Sequence, residues 1–395
     1  MADKEARFVA EVSGIRYENI TSWSLQQAYF TPADAFEFTV TDPANPGKLR
    51  DTFRPWQPVN LYLNDLIQLT GRIDKIQGTG AGDADLQCSG RDYFASFVDA
   101  GCDTSFRVAK GDTLEYLVMR LLAPFGVTSV SGDGFAMLRN ARTGRSSQGS
   151  PKDYRSAELE DDKPQEGQGV FQFLTSILAR HGFLLQPTED PTGVALVQPE
   201  FTTRPHGVLR RSLQTPDLTN IKSGVASRDY TNVPTVTIAR SRSMSTGGKA
   251  APTRSVVPSF GPGSPATIGE LTEVRRIFGS VAVQTPSRPG EVGDATRVYK
   301  PMFYHDDASR NQEQLDRGLR RELAERLQGT LTYRCEVDGI EAPDGSIFCV
   351  DTILTVDDDV ENVHEDMWVS ELDVSDQGDG PATVLTLIRP GSYVL

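Results

Sequence analysis

Residues 69 to 92 read LTGRIDKIQGTGAGDADLQCSGRD, and the stretch Gly78-Thr79-Gly80-Ala81-Gly82 has the glycine density of a loop that could cradle a phosphate. Such a cradle must follow a strand and open a helix, because the helix N-terminus supplies the amide donors. Before the glycines, Leu69, Gly71 and Ile73 share one face, and Ile76 falls out of phase, which predicts a fray or a bulge. After them Asp85-Leu86-Gln87-Cys88-Ser89-Gly90 alternates again, and no Gly-Lys-Ser/Thr follows. Strand on both sides predicts an antiparallel hairpin with a polar tip, not a nucleotide site.

Other chemistry-bearing residues are equally dispersed. Cys88, Cys102, Cys335 and Cys349 stand singly, without a C-x-x-C pair, which argues against zinc and against a disulfide framework and predicts reduced thiols. His181, His206, His305 and His364 are scattered, with His181 placed to cap helix-end carbonyls and His364 expected to be exposed. No G-x-S-x-G elbow, H-E-x-x-H helix or P-loop lysine is present, and no carboxylate pair stands out for glycan cleavage. The densest cluster is Asp357, Asp358, Asp359, Glu361, Glu365 and Asp366, six acids in ten residues. It reads as a solvated hairpin loop; EF-hand calcium spacing and its central glycine are missing. Trp23, Trp56 and Trp368 fall within strand patterns and are assigned to core packing, which disfavours a glycan-binding surface.

The elements that must hold these residues are mostly strands. The first hundred residues carry short alternating runs at Arg7–Val12, Thr21–Leu25, Ala35–Val40 and Trp56–Leu63, punctuated by Gly, Pro and Asp, as in a small barrel or sandwich. Asp112-Thr113-Leu114-Glu115 has capping-box form ahead of Leu114, Leu117, Val118, Leu121 and Leu122. A second helix over 168–181 turns Val170, Phe173, Leu174, Ile177 and Leu178 to one side, and a hairpin over 183–185 and 194–197 completes an α+β segment. The polar stretches 138–168 and 241–265 read as solvated or partner-ordered loops. From Ser309 a helix with Leu315, Leu319, Leu323 and Leu327 on one stripe and i,i+4 pairs such as Glu322–Arg326 on its back runs to Gly329. Strands return at 330–337, 348–356, 367–374 and 383–388.

Trp56–Asp65 and Phe348–Asp357 each open on an aromatic and reach an aspartate nine positions later, followed by further strands and a Gly/Asp turn, which raises an internal β-repeat as a possibility. The chain has 395 residues and a net charge of −14, so its surface disfavours a grip on nucleic-acid phosphates. It has no membrane-length apolar run, and MADKEARFVAEV lacks a basic-then-apolar signal pattern, so the expectation is a protein made in a cytosol with no membrane insertion.

Several segments together resemble the baseplate hub proteins of contractile-tailed phages, especially the Mu-like type. PADAFEFTVTD (32–42) is similar to that family's second strand, and LTGRIDKI and CSGRD are similar to its barrel strands. QGVFQFLTSILARHGF (168–183) is similar to a helix shared with phage late control protein D and type VI secretion spikes. The fullest likeness runs from Asn311 through Val337 to Pro390-Gly391-Ser392-Tyr393; residues 138–168 and 241–300 carry little.

The resemblance implies an α+β, mainly β chain with two similar β-barrel hub domains. The first covers 1–102 and the second 208–245 with 330–395. An α+β domain (103–207) and an irregular segment (246–329) ending in helix 309–328 are inserted. It further implies a homotrimeric structural protein of the virion tail, with neither catalysis nor cofactor, joining a sixfold tail tube to a threefold spike and passing DNA. Its expected partners are the tail tube protein or a tube adaptor, a separate central spike protein, baseplate wedge proteins and a tape measure protein. The six acids then become candidates for a lumen or interface loop. The competing class is the hub of a type VI-like or tailocin injection system, and beyond it a glycan-binding or glycan-hydrolysing surface protein.

Overall fold

The computed structural model describes residues 6–42, 46–78, 85–132, 159, 161–188, 190–199, 201, 203–229, 231–232, 236–240, 253–261, 264–272, 301–305, 319, 322, 326 and 330–390. These fall into two compact units, one within Met1–Leu178, Phe183–Val225 and Tyr333–Leu387, the other within Ala179–Gly182, Ala226–Thr332 and Ile388–Leu395. The chain is mainly β with few helices.

The first unit opens with β1 (Phe8–Val12), β2 (Ile15–Tyr17), β3 (Ile20–Ala28), β4 (Ala35–Thr41), the short helix α1 (Pro46–Thr52), β5 (Pro58–Leu63), β6 (Leu66–Gly78) and β7 (Asp85–Asp92). Period-two alternation sets which residues enter the core: Trp23 and Leu25, Phe36, Phe38 and Val40, Val59, Leu61 and Leu63 are all buried, with polar neighbours between them. β6 and β7 pair antiparallel across the glycine-rich segment, so the hairpin expectation holds. Its tip, 79–84, lies outside the described residues. The dephasing at Ile76 also has its cause: the register slips between Ile73 and Lys75, a β-bulge.

Two glycines let this hairpin close. A Cβ on Gly90 would collide with the Arg72 carbonyl and with the Phe36 ring, and one on Gly71 with the Arg91 carbonyl. Backbone cannot retreat there without breaking the ladder. Gly90→Ala is therefore expected to cost about 1–3 kcal/mol of stability, read as a lowered urea midpoint with an unchanged slope.

Next come α2 (Ala95–Asp99), α3 (Leu114–Leu122), β8 (Ser129–Ser131), α4 (Val170–His181), β9 (Leu184–Pro187) and β10 (Gly193–Val197). β10 lies between β8, parallel to it, and β9, antiparallel. Leu114, Leu117, Val118, Leu121 and Leu122 of α3 meet Val170, Phe173, Leu174, Ile177 and Leu178 of α4 in one core with Phe94 and Phe97. The capping expectation needs a shift of one residue. Thr113 is the N-cap, its hydroxyl accepting from the Tyr116 amide, while Asp112 accepts from the Ala109 amide instead. Of the two stretches read as loops, 138–158 and 241–252 lie outside the described residues, while 253–261 and 264–265 are strand, not irregular chain.

β11 (Val208–Arg211) and β12 (Ile221–Ser227) follow. Then β13 (Val236–Arg240), β14 (Thr253–Gly261), β15 (Ser264–Thr272) and β16 (Pro301–His305) form a four-stranded sheet of order β15-β14-β13-β16 in the second unit. Of the helix expected over 309–328, only Leu319, Glu322 and Arg326 are described. All three are helical, Leu319 is buried, and the i,i+4 pair Glu322–Arg326 forms at 2.7 Å.

The last strands are β17 (Thr332–Asp338), β18 (Ile353–Asp358), β19 (Val363–Asp376) and β20 (Ala382–Ile388). They join β1–β7, β11 and β12 in one thirteen-stranded sheet. Its path is β12-β17-β20-β19-β3-β4-β7-β6-β5-β1-β2, with β18 and β11 branching from β19. Among the described residues the path is open at both ends. The link between its early and late strands is β19 against β3, in register from Glu371↔Ala28 to Asp376↔Trp23.

Candidate functional site

The acidic cluster is not the loop its composition implied. Asp357 and Asp358 end β18, Glu365 and Asp366 lie in β19, and only residues 359–362 turn between them. Strand geometry forces the departure: in an alternating ladder, Asp358 takes the inward place next in line after Val356 and is fully buried.

What allows a carboxylate there is the parallel neighbour β11, whose residues meet the acids one for one. Arg210 Nε donates to Asp357 at 2.9 Å, and Arg211 donates to both Asp358 oxygens at 3.0 and 2.8 Å. Ser212 Oγ donates to Asp359 at 3.0 Å. Each pair is 147 residues apart in sequence, so the run Arg-Arg-Ser zips onto the run Asp-Asp-Asp in constant register. Asp358 accepts in addition from the Tyr333 hydroxyl at 2.5 Å and from the Val360 and Glu361 amides. Arg211 spends another N–H on the Gly224 carbonyl at 3.1 Å, which ties β12 into the same cluster.

The electrostatics follow from this packing. Burial pushes the Asp358 carboxyl up, but Arg211, Tyr333 and the two amides together outweigh it and leave it below its ordinary range. Tyr333 goes the other way, raised by burial and by its bond to Asp358. Burial raises the neighbouring Cys335 thiol to about 12, so it is no nucleophile. Asp357 is held low by His364 and Arg210, His364 Nδ1 lying 2.8 Å from its carboxylate. His364 is exposed, as expected, and is also bonded to Asp357.

Asp357, Asp359 and His364 bring three donor atoms within 4.8 Å of one another. Each already has a protein partner: Arg210 and His364 for Asp357, Ser212 and the Leu213 amide for Asp359. The set works as an ion-pair cluster, and no metal is assigned to it. Glu361 lies 3.9 Å from Arg211. Asp366 accepts from Thr355 Oγ1 at 2.6 Å, and Glu365 stands opposite Val356, half-buried.

Elsewhere, a groove of ≈ 320 Å³ crosses β3, β4, β6 and β7, with Ser24, Gln26, Glu37, Asp74, Ser89 and Arg91 among its lining. Arg91 is fixed there by Asp74 and Asp99. Asp34 and Asp92 meet where β7 ends, and burial, then the Asp34 charge, pushes the Asp92 carboxyl well up. Asp92 accepts from the Phe94 amide at the start of α2, a structural use. Of the cysteines, Cys88, Cys335 and Cys349 are buried free thiols and Cys102 is half-buried.

One tryptophan contradicts its sequence assignment. Trp23 and Trp368 are core residues, but Trp56 is 74 % exposed and has φ of +71°. It precedes β5, and its amide bonds to the Ile73 carbonyl, a geometry that turns the indole outward. Leu213 and Val360, beside the acidic turn, are also exposed. Nothing in local patterning flags Trp56 or the arginines of β11, because each owes its role to a partner distant in sequence.

The sheet joins early and late strands and carries the ion-pair cluster where β11 lies against β18. No family model and no curated protein matches the sequence. Solved structures do match the fold over nearly its full length. The tail protein of Neisseria meningitidis MC58 superposes with a TM-score of 0.70 at 16% identity, covering 98% of each chain. The 43 kDa tail protein of prophage MuSo2 from Shewanella oneidensis gives 0.66 at 16% identity, over 98% of this chain and 99% of that one. An Escherichia coli component of the type VI secretion system, described as structurally similar to the T4 tail proteins gp27 and gp5, gives 0.52 at 10% identity, over 98% of this chain and 78% of that one. The fold is therefore that of phage tail proteins and of related secretion-system components.

Proposed function

We propose that this chain is a baseplate hub protein of a contractile phage tail. Three copies close a ring that joins a sixfold tail tube to a threefold central spike and leaves a passage for DNA. The observation that carries the reading is a coincidence of strand order. With the three-residue β2 left out, the early strands follow the path β3-β4-β7-β6-β5-β1, and the late strands follow β12-β17-β20-β19-β18-β11. Numbered by chain order within each set, both paths are 2-3-6-5-4-1.

Backbone bonds match as well. Trp56 N donates to Ile73 O at 2.7 Å and Ile73 N to Gln57 O at 3.0 Å; Asp351 N donates to Val369 O at 3.0 Å and Val369 N to Thr352 O at 2.8 Å. Trp56 and Asp351 share a positive φ, +71° and +60°. One difference stands out: β1 runs antiparallel to β5, whereas β11 runs parallel to β18. These correspondences support a duplicated β-barrel module, and a trimer of a duplicated chain presents six similar modules and three chain-specific faces. The protein would lie in the virion tail, bound to a tube or tube-adaptor protein, a central spike, wedge proteins and a tape measure protein, in a role without catalysis or cofactor. The full-length fold shared with two tail proteins supports this placement.

A second reading is the hub of a type VI-like or tailocin injection system, favoured by the fold shared with the E. coli component. In either machine the net charge of −14 keeps the ring from gripping phosphates. Asp359, Glu361, Glu365 and Asp366 are the acids proposed to face the lumen. Asp357 and Asp358 contribute least, since arginines of β11 neutralise them.

The test is the native mass of the purified protein with images of its particles. A mass near three times 43.2 kDa and ring-shaped projections are expected. A stable monomer with hydrolytic activity on glycans would overturn the reading, and a ring whose channel is neutral or basic would remove the lumen assignment.

A further inference from the structure

The early and late strand sets correspond, yet at one end their surface chemistry differs. Counted back from the matched residues Ile73 and Val369, the β5–β6 turn at Asn64-Asp65 falls opposite the β18–β19 turn at Val360-Glu361. At the first turn, polar groups satisfy one another. Arg7 donates its amide to Asn64 Oδ1 at 3.0 Å and accepts from the Asn64 amide at 2.9 Å. Its guanidinium pairs with Glu18 at 2.6 Å and with Asp65 at 3.3 Å. At the second turn, apolar side chains stand in solvent. Leu213 and Leu218 of the β11–β12 loop are 71 % and 58 % exposed, and Val360 is 51 % exposed.

The loop that carries the two leucines is pinned rather than loose. Ser212 Oγ donates to Asp359 and accepts from the Gln214 and Thr215 amides. The Leu213 amide donates to the same Asp359 carboxylate at 3.0 Å, which sets this leucine beside the Val360 turn. The Ser212 amide donates to Thr219 Oγ1, and the Leu218 amide to the Thr215 carbonyl at 3.1 Å. A loop fixed in this way holds its leucines outward, and clustered apolar residues on a fixed surface mark a docking face.

We infer that this end of the ring takes the central spike, with Leu213, Leu218 and Val360 of each chain seated against apolar surface of a threefold partner. The inference rests on the hub reading and says which face of the ring the spike uses. Symmetry selects the occupant. In a ring of three duplicated chains the two kinds of turn alternate around the rim, apolar at one and ion-paired at the next. A sixfold tube presents one surface six times, so any surface that suits the leucines would desolvate the Arg7 cluster at every second position. A threefold spike meets only the apolar turns. Asp217, Asp359 and Glu361 belong to the same two loops, so the matching surface of the spike is apolar at its centre and basic around it.

The full chain tests this, with the spike protein and the tube protein of the same tail as separately purified probes. Leu213→Ser combined with Val360→Ser is expected to keep the native mass and the melting temperature. It should weaken spike binding about tenfold or more and leave tube binding unchanged. Leu66→Ser, at the matching turn and also exposed, should leave spike binding unchanged. An equal loss from Leu66→Ser means a rim read six times and overturns the threefold assignment. Loss of tube binding with spike binding kept overturns the choice of partner, and no loss of either overturns the docking face. In each of these cases a native trimer leaves the hub reading intact. A wild-type chain that is monomeric at every concentration overturns both.

Discussion

Asp358→Ala lowers the unfolding free energy by about 3–5 kcal/mol, the scale for breaking a buried ion pair by removing one member. The reason is geometric. Asp358 is fully buried and Arg211 partly so, and the carboxylate holds bonds from a guanidinium, a phenol and two backbone amides. Removing it leaves the Arg211 charge without its main partner inside the protein. Arg211→Met with Asp358→Leu should recover most of the loss, since replacing both members removes the desolvation penalty as well as the attraction. Urea melts of the three proteins check this. The same pair has a pH signature. The folded Asp358 carboxyl lies below its unfolded value, so its contribution is complete above an unfolded pKa of about 3.9 and fades as pH falls through the folded value. Below about pH 4 the wild type should lose stability more steeply than Asp358→Asn, which has no such proton to take up.

Trp368→Ala is the other large effect, again about 3–5 kcal/mol, from lost burial and the cavity left behind. Trp368 is fully buried where β19 passes from β18 to β3, with Tyr29, Phe30 and Phe201 around its ring at 5.0, 5.6 and 5.4 Å. Trp368→Phe keeps most of the packing but gives up the 2.9 Å bond to Asp351, and should cost about 1–3 kcal/mol. Near-ultraviolet circular dichroism, recorded alongside the melts, reports whether the aromatic nest loosens before the sheet does.

How much of this was legible in the sequence depends on the range of each interaction. The Leu69–Asp92 hairpin, the α3 and α4 stripes and the Glu322–Arg326 pair are local patterns, and the expected forms appear. The Asp357–Asp359 run misled because its partners, Arg210–Ser212, come 147 residues earlier and only strand pairing brings them together. Trp56 misled because an aromatic ahead of an alternating run looks like the first residue of a strand. β5 starts at Pro58, and the positive φ at Trp56 takes it off the pleat. The same error shifted the suspected repeat. Sequence similarity set Trp56 against Phe348, whereas the matching backbone bonds set it against Asp351. An odd offset exchanges the two faces of every strand it aligns.

β19 has a mechanical consequence. It is one unbroken strand of 14 residues, anchored by its first half in the late strands and by its second half on β3. Tension drawing the early strands away from the late ones along this direction would load the β19–β3 rungs sideways and all at once, because ladder bonds stand perpendicular to antiparallel strands. A joint sheared in parallel yields abruptly and at high force, whereas a joint peeled rung by rung gives way gradually, so the β19–β3 joint is of the kind that holds against a pull along β19.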